Sequence, residues 1–262
     1  MRSLCVIVIA LSLAVVSCVG AGGKEKPAKA EDSADGGRKT AYWEQEKSAR
    51  RMIGASEGAL APVYTPLAEQ IVQDFNLSEA RGIGIDVGSG PGTLAVELCK
   101  RTDMHWINAD INPHFFPYFY DLAEKKGVAH RVSAIRADAQ HLPFRTGYAD
   151  VIVSRGSYQF WNDRKKGFKE IYRVLKPGGV AYIGRGFARD MPVQRARNVR
   201  QNQNGGPQYD RFKHAKQHAD IMKELGIKDW KVNVPTPDGP DGVSYGVWVT
   251  FHKPASEHTK GG

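Results

Sequence analysis

Residues 83–98 read Ile-Gly-Ile-Asp-Val-Gly-Ser-Gly-Pro-Gly-Thr-Leu-Ala-Val-Glu-Leu, and no other stretch restricts the fold as tightly. Ile83, Ile85 and Val87 predict a short buried strand. Gly88, Gly90 and Gly92 predict a tight turn, and Leu94, Ala95, Val96 and Leu98 a helix. A strand that enters a glycine-rich turn and leaves it as a helix builds a ligand cradle. Glycine lets the backbone come close to the ligand, and the free N–H groups of the new helix face it. The spacing is Asp-x-Gly-x-Gly-x-Gly. The dinucleotide fingerprint Gly-x-Gly-x-x-Gly does not fit, because position 93 is Thr. Asp86 is also misplaced for a pyrophosphate, since it would set an acid beside an anion.

The acid and three alternating glycines resemble the first motif of the class I S-adenosylmethionine (SAM)-dependent methyltransferases, and the later stretches follow that family's order. Trp106–Asp110 reads as a second strand whose terminal acid stands 24 residues after Asp86. A carboxylate there can accept bonds from both hydroxyls of a ribose. Asn112-Pro113 then reads as a helix cap and first helical residue. Arg131–Arg136 reads as a third strand, followed by Ala137-Asp138-Ala139-Gln140-His141-Leu142-Pro143-Phe144, which is similar to the family's Asp-Ala-x-x-Leu-Pro-Phe stretch. Ala149–Ser154 reads as a fourth strand, and Glu170-Ile-Tyr-Arg-Val-Leu-Lys-Pro-Gly-Gly179 resembles the signature of the ubiquinone-methylase-like branch.

The resemblance implies a Rossmann-like, seven-stranded, mostly parallel sheet with helices on both faces. It implies SAM as cofactor: Asp86, Gly88, Ser89, Gly90 and Gly92 at the methionine end, Asp110 and Ile111 at the ribose, Asp138 and Ala139 at the adenine, and Ser154 at the end of the fourth strand. The expected activity is methyl transfer to a small molecule or lipid-like acceptor. The carbon of a sulfonium methyl is already activated, so alignment can carry the reaction without an acid–base dyad. The substrate-side candidates are Arg155, Tyr158, Trp161 and Arg185. Arg155 and Arg185 could orient an anionic acceptor, while the aromatic pair could equally pack the loop. The chain lacks the Asn/Asp-Pro-Pro-aromatic motif of the amino-methylating branch after its fourth strand, which argues against adenine or glutamine-amide methylation. It also lacks the several thiols of an arsenic-methylating relay.

The remaining helices and strands are read from periodicity. Residues 42–56 and 62–76 read as helices, the second with Pro66 in its first turn and Leu67, Ile71, Val72 and Phe75 on one face. Tyr64 is a possible cofactor contact or core residue. Asp163 caps a helix in which Phe168, Ile171, Tyr172 and Leu175 share a face, and this helix stops at Lys176-Pro177-Gly178-Gly179. Val180–Gly184, Asp229–Val234 and Tyr245–His252 read as the last three strands. Residues 185–218 carry Arg185, Arg189, Arg195, Arg197, Arg200, Arg211, Lys213 and Lys216, and read as a basic insertion: a lid over the substrate or a solvated loop.

The N-terminus reads separately. Arg2 and the apolar run Leu4–Val16 make a secretory signal too short for a comfortable membrane span. Val15-Val16-Ser17-Cys18 resembles the bacterial lipobox, which makes Cys18 the lipidation site; an ordinary signal peptide or an uncleaved anchor are the alternatives. Residues 19–41 are rich in Gly, Ala and charge and read as a flexible tether, leaving 42–253 as the methyltransferase-like domain and 254–262 as a polar tail. Of three cysteines, only Cys99 lies in the domain, so neither an internal disulfide nor a cysteine metal site is expected; no metal is. The expected setting is an exported, membrane-anchored lipoprotein, or the cytoplasm if the signal reading fails. The net charge of +9 has no nucleic-acid motif beside it. A non-catalytic nucleoside- or lipid-binding protein on the same fold is the alternative function; an NAD-dependent oxidoreductase is disfavoured by the glycine spacing.

Overall fold

The computed structural model describes residues 44–201, 210–239 and 242–255. The signal, Cys18, the tether and most of the polar tail lie outside the described residues. In chain order the elements are α1 (Glu46–Glu57), α2 (Ala61–Asp74), β1 (Ile83–Val87), α3 (Thr93–Cys99), β2 (His105–Asp110), α4 (Phe116–Lys125), β3 (Val132–Arg136), β4 (Ala149–Arg155), α5 (Arg164–Val174), β5 (Leu175–Gly186), α6 (Val193–Gln201), α7 (Arg211–Glu224), β6 (Trp230–Asn233) and β7 (Gly246–His252).

The strands form one sheet in the order β3-β2-β1-β4-β5-β7-β6. Strands β1 to β5 pair in parallel, and β7 runs antiparallel to both β5 and β6. The strand order reverses direction between β1 and β4. Open α/β sheets bind ligands at the carboxyl edge of such a switch point, because the connections there diverge to opposite faces and leave a crevice.

Alternation along the strands builds two apolar layers. Trp106, Val151, Val153 and Tyr182 point to one face and join Leu67 and Ile71 of α2, Leu94 and Leu98 of α3, and Phe119 of α4. Ile85, Val87, Ile107, Ile152 and Ile183 point to the other and meet Phe168 and Ile171 of α5 and Met222 of α7. Cys99 is a fully buried free thiol. Side chains in strands project alternately, so this division also fixes which face each functional residue takes.

Three details depart from the sequence reading. Pro66 sits inside α2 while Pro62 occupies the first turn; the proline ring lacks an N–H, so the Pro62 carbonyl goes without its helical bond there. Helix α5 ends at Val174, and Lys176–Gly179 already belongs to β5. The basic segment 185–218 is not a solvated loop across its described residues. It holds α6 and the start of α7, with Phe187, Met191, Ala196 and Val199 buried in the first layer. Its cations are largely engaged: Arg189 pairs with Asp74 at 2.6 Å, Arg197 with Asp238 at 2.9 Å, and Arg200 lies 4.6 Å from the Phe187 ring centre.

Candidate active site

The glycine turn is held from two sides. Gly88 donates its N–H to the Ala109 carbonyl at 2.7 Å, tying the turn to the end of β2. Gly90 donates to Asp110 Oδ2 at 2.7 Å, and Asn108 Nδ2 donates back to the Gly90 carbonyl at 3.2 Å. From below, Ser157 Oγ donates to the Val87 carbonyl at 3.0 Å, so its 2.6 Å contact with Ser154 uses the Ser154 proton. Ser154 therefore braces the floor of the cradle. All three glycines have positive φ (64°, 56° and 75°). A Cβ at Gly88 would overlap Ser157 and one at Gly92 would overlap Phe119, whereas one at Gly90 would meet nothing nearer than Met52 and Phe115 at 3.8 Å. A Cβ at Gly90 would thus make ordinary contacts, and those at Gly88 and Gly92 would clash.

The two strand-end acids sit on either side of this turn. Asp110, 7% exposed, accepts N–H groups from Gly90 and from Asn112 at 2.8 Å, and the backbone at Ile111 also reaches it. Burial raises its carboxyl to about 6, with those N–H groups pulling the other way. Asp86, 1% exposed, has no such partners among the described residues: its shielded Oδ1 makes no hydrogen bond there. Burial pushes Asp86 up to about 8, Asp110 adds to the rise, and Arg155 opposes it. Ser89 Oγ and Thr93 Oγ1 are likewise buried without partners at the turn. Orphaned buried polar atoms cost a fold stability, and a cluster of them around the glycine turn is a site shaped for something polar.

Further along the edge, Asp138 accepts the Gln140 N–H at 2.9 Å and its side-chain amide at 3.1 Å, with His141 Nδ1 at 3.6 Å. Burial alone would raise the Asp138 carboxyl; Gln140 and His141 outweigh it and hold the group below its usual range. Ala139 beside it is buried. The expected cofactor residues therefore all line or brace one edge of the sheet, from β4 across β1 and β2 to the end of β3.

The substrate-side candidates separate. Trp161 is core: its ring stacks edge-on to Phe168 at 5.8 Å and covers Gly167. Tyr158 is fully buried, its hydroxyl 3.1 Å from His214 Nδ1. Arg185 continues the β5 face that carries Ile183 and reaches Gln159 Oε1 at 2.6 Å. Arg155 continues the β4 face that carries Val153, lies 5.3 Å from the Tyr64 ring centre, and donates from Nε to the Gly186 carbonyl at 3.3 Å. The two arginines expected to act together thus emerge on opposite faces of the sheet.

Sequence reasoning passed over Asn108, Met52 and His214. Asn108 could have been found, because a polar residue interrupts Trp-Ile-Asn-Ala-Asp on the same face as Asp110. Met52 and His214 reach the site from remote helices and leave no local signal.

Residues 85–183 match the family model described as a methyltransferase domain. The chain is similar to methyltransferase domains over these 99 of its 262 residues. Over 98 residues it is 39% identical to a chloroplastic 2-methyl-6-phytyl-1,4-hydroquinone methyltransferase of Oryza sativa subsp. japonica, covering 37% of this chain and 27% of that one. Over 97 residues it is 33% identical to a ubiquinone/menaquinone biosynthesis C-methyltransferase of Vibrio campbellii, covering 36% and 38%. The chain thus spans well under two thirds of these relatives. Among solved structures, a candidate SAM-dependent methyltransferase of Methanococcus maripaludis superposes with a TM-score of 0.71 at 28% identity, over 85% of this chain and all of that one. A Haemonchus contortus phosphoethanolamine N-methyltransferase in complex with SAM shares the fold, at a TM-score of 0.52 and 20% identity over 72% of this chain and 52% of that one. The matched stretch includes Asp86, the glycine turn, Asp110 and Asp138, and the groups of SAM fit them. A ribose diol needs an acceptor such as Asp110, an ammonium an acid such as Asp86, and an adenine edge an acceptor beside a backbone N–H, as at Asp138 and Ala139.

Proposed function

We propose that the protein is a SAM-dependent methyltransferase whose acceptor is a small or lipid-like molecule bearing an anionic group. The observation that carries this reading is the pairing of Asp86, buried and unpartnered among the described residues, with Asp110 across the glycine turn. SAM supplies a methyl group on a sulfonium, activated for in-line displacement. The chain's own work is alignment: Gly88 and Gly92 fix the turn, Asp110 and Asp86 set the two ends of the cofactor, and buried side chains keep water away. No strong base is needed at the sulfonium.

On the acceptor side the support is cationic and aromatic. Arg185, oriented by Gln159, stands at the end of β5, with Tyr158 and His214 nearby. Burial, with Arg164 and Arg185 close by, lowers His214, so a neutral imidazole is available to take a proton from an acceptor. The lipid-like character is suggested by the phytyl hydroquinone and the ubiquinone/menaquinone in the relatives' names. Incubating the full chain with methyl-tritiated SAM and an organic extract split into neutral and acidic pools tests the reading. Label is expected in the acidic pool, falling about 10-fold with Arg185→Gln. Label confined to the neutral pool, or unchanged by the substitution, contradicts the anionic acceptor.

The same proposal sets the enzyme on a membrane through Cys18. Labelled palmitate incorporated into the intact chain and lost in Cys18→Ser supports this; a chain that stays in the soluble fraction without label contradicts it.

A further inference from the structure

Asp86 ends β1 and Arg155 ends the neighbouring β4, where Asp86 pairs in register with Val153. Both side chains take the face toward α2, and Tyr64 of α2 lies over the guanidinium. A carboxyl and a guanidinium so placed would ordinarily close into an ion pair, which offsets part of the cost of taking them out of water. They do not: no Arg155 nitrogen lies within 4.0 Å of an Asp86 oxygen, and Arg155 has no carboxylate partner among the described residues. The guanidinium spends one N–H on the Gly186 carbonyl and its face on Tyr64, leaving its outer nitrogens uncommitted. Asp86 has neither ion pair nor hydrogen bond among the described residues. One buried acid and one half-buried base, within electrostatic reach of each other yet apart, each lack the partner the other could have been.

A ligand that satisfies both must carry a cation and an anion a few bonds apart. We propose that Asp86 and Arg155 together clamp the amino-acid head of the cofactor, Asp86 taking the ammonium and Arg155 the carboxylate. This rests on the SAM reading above and deepens it, moving Arg155 from the acceptor side to the cofactor. It explains why the two arginines at the carboxyl edge diverge: Arg155 turns to the α2 face with Asp86, while Arg185 turns to the α7 face with Gln159. It also gives Tyr64 a task, since its ring holds the guanidinium in place by cation–π contact.

The test compares two ligands by titration calorimetry on the full chain. S-adenosylhomocysteine carries the amino-acid head; 5′-methylthioadenosine keeps the nucleoside and thioether but lacks it. Wild type is expected to prefer S-adenosylhomocysteine by about 100-fold. Arg155→Gln should weaken S-adenosylhomocysteine about 10- to 100-fold, the range of a lost charge-assisted pair, while 5′-methylthioadenosine changes less than about twofold. Asp86→Asn should give the same asymmetry. Arg155→Lys keeps the charge but not the fork, should fall between, and carries the test if the Gln variant does not fold. Unchanged S-adenosylhomocysteine affinity in folded variants overturns the clamp, and so does an equal loss for both ligands, which marks a merely structural role. Wild type that binds neither ligand overturns instead the SAM reading beneath it.

Discussion

Asp86 and Asp110 end adjacent strands with the same chemistry and opposite surroundings. Three backbone N–H groups reach Asp110, none reaches Asp86, and their carboxyls sit at about 6 and about 8 accordingly. Both lie above the usual unfolded value of about 3.9. Between those limits the folded chain therefore holds more protons than the unfolded one, so ligand-free stability declines as pH rises from about 4 toward 8. The groups facing Asp86 are Asp110 of β2, Arg155 of β4 and, through its ring, Tyr64 of α2. Asp86→Asn removes the titration, and its thermal midpoint should exceed wild type at pH 8.5 by at least about 2–4 °C, the shift about 1 kcal/mol produces in a chain near this size. At pH 4 the two should coincide. Melting curves of both proteins across that range check this, and parallel declines would contradict it. These two acids were legible in the sequence because a strand end beside a glycine turn is a position with few structural uses for a carboxylate. His214 was not, because only tertiary packing brings α7 over Tyr158.

At the scale of the element, the glycine turn distinguishes packing from binding. Gly88→Ala and Gly92→Ala drive a methyl into Ser157 and Phe119 at positive φ. Each should cost more than about 2 kcal/mol, from strain and overlap together, and lower the melting temperature. Gly90→Ala bears only the left-handed backbone cost of about 1 kcal/mol, because its methyl would meet Met52 and Phe115 no nearer than 3.8 Å. It should remain folded and lose S-adenosylhomocysteine binding about 10-fold or more, as one displaced close contact in a preorganised site allows. Intact affinity in folded Gly90→Ala would mean that the turn does not contact the cofactor. Helix α6 teaches the converse about reading sequence. Its arginines mask the apolar spacing of Ala196 and Val199, so a helix with one buried face read as a lid or a solvated loop. Val199→Asp should cost about 3 kcal/mol or more, whereas the exposed Arg195→Ser should stay within about 0.5 kcal/mol, both measured by denaturant unfolding.

Across the whole molecule, strand order and chemistry share one origin. Motif succession along the chain gave the sheet its strands in readable form, because each parallel strand must end at the same edge and carry its ligand group there. What the sequence could not reveal was the face each edge residue takes, since that follows from register: Arg155 and Arg185 look alike in the chain and diverge in the sheet. The net charge of +9 proved a poor guide to function. Several arginines of the 185–218 segment are bound to acids, carbonyls and rings of the fold rather than offered to a partner. The central claim is that this edge binds SAM, and calorimetric titration of the full chain with SAM and with NAD, repeated with Asp110→Asn, tests it most directly. Micromolar SAM binding is expected, about 100-fold weaker in the variant, with no measurable binding of NAD. Absence of SAM binding to the folded wild type, or SAM binding indifferent to Asp110, would contradict it.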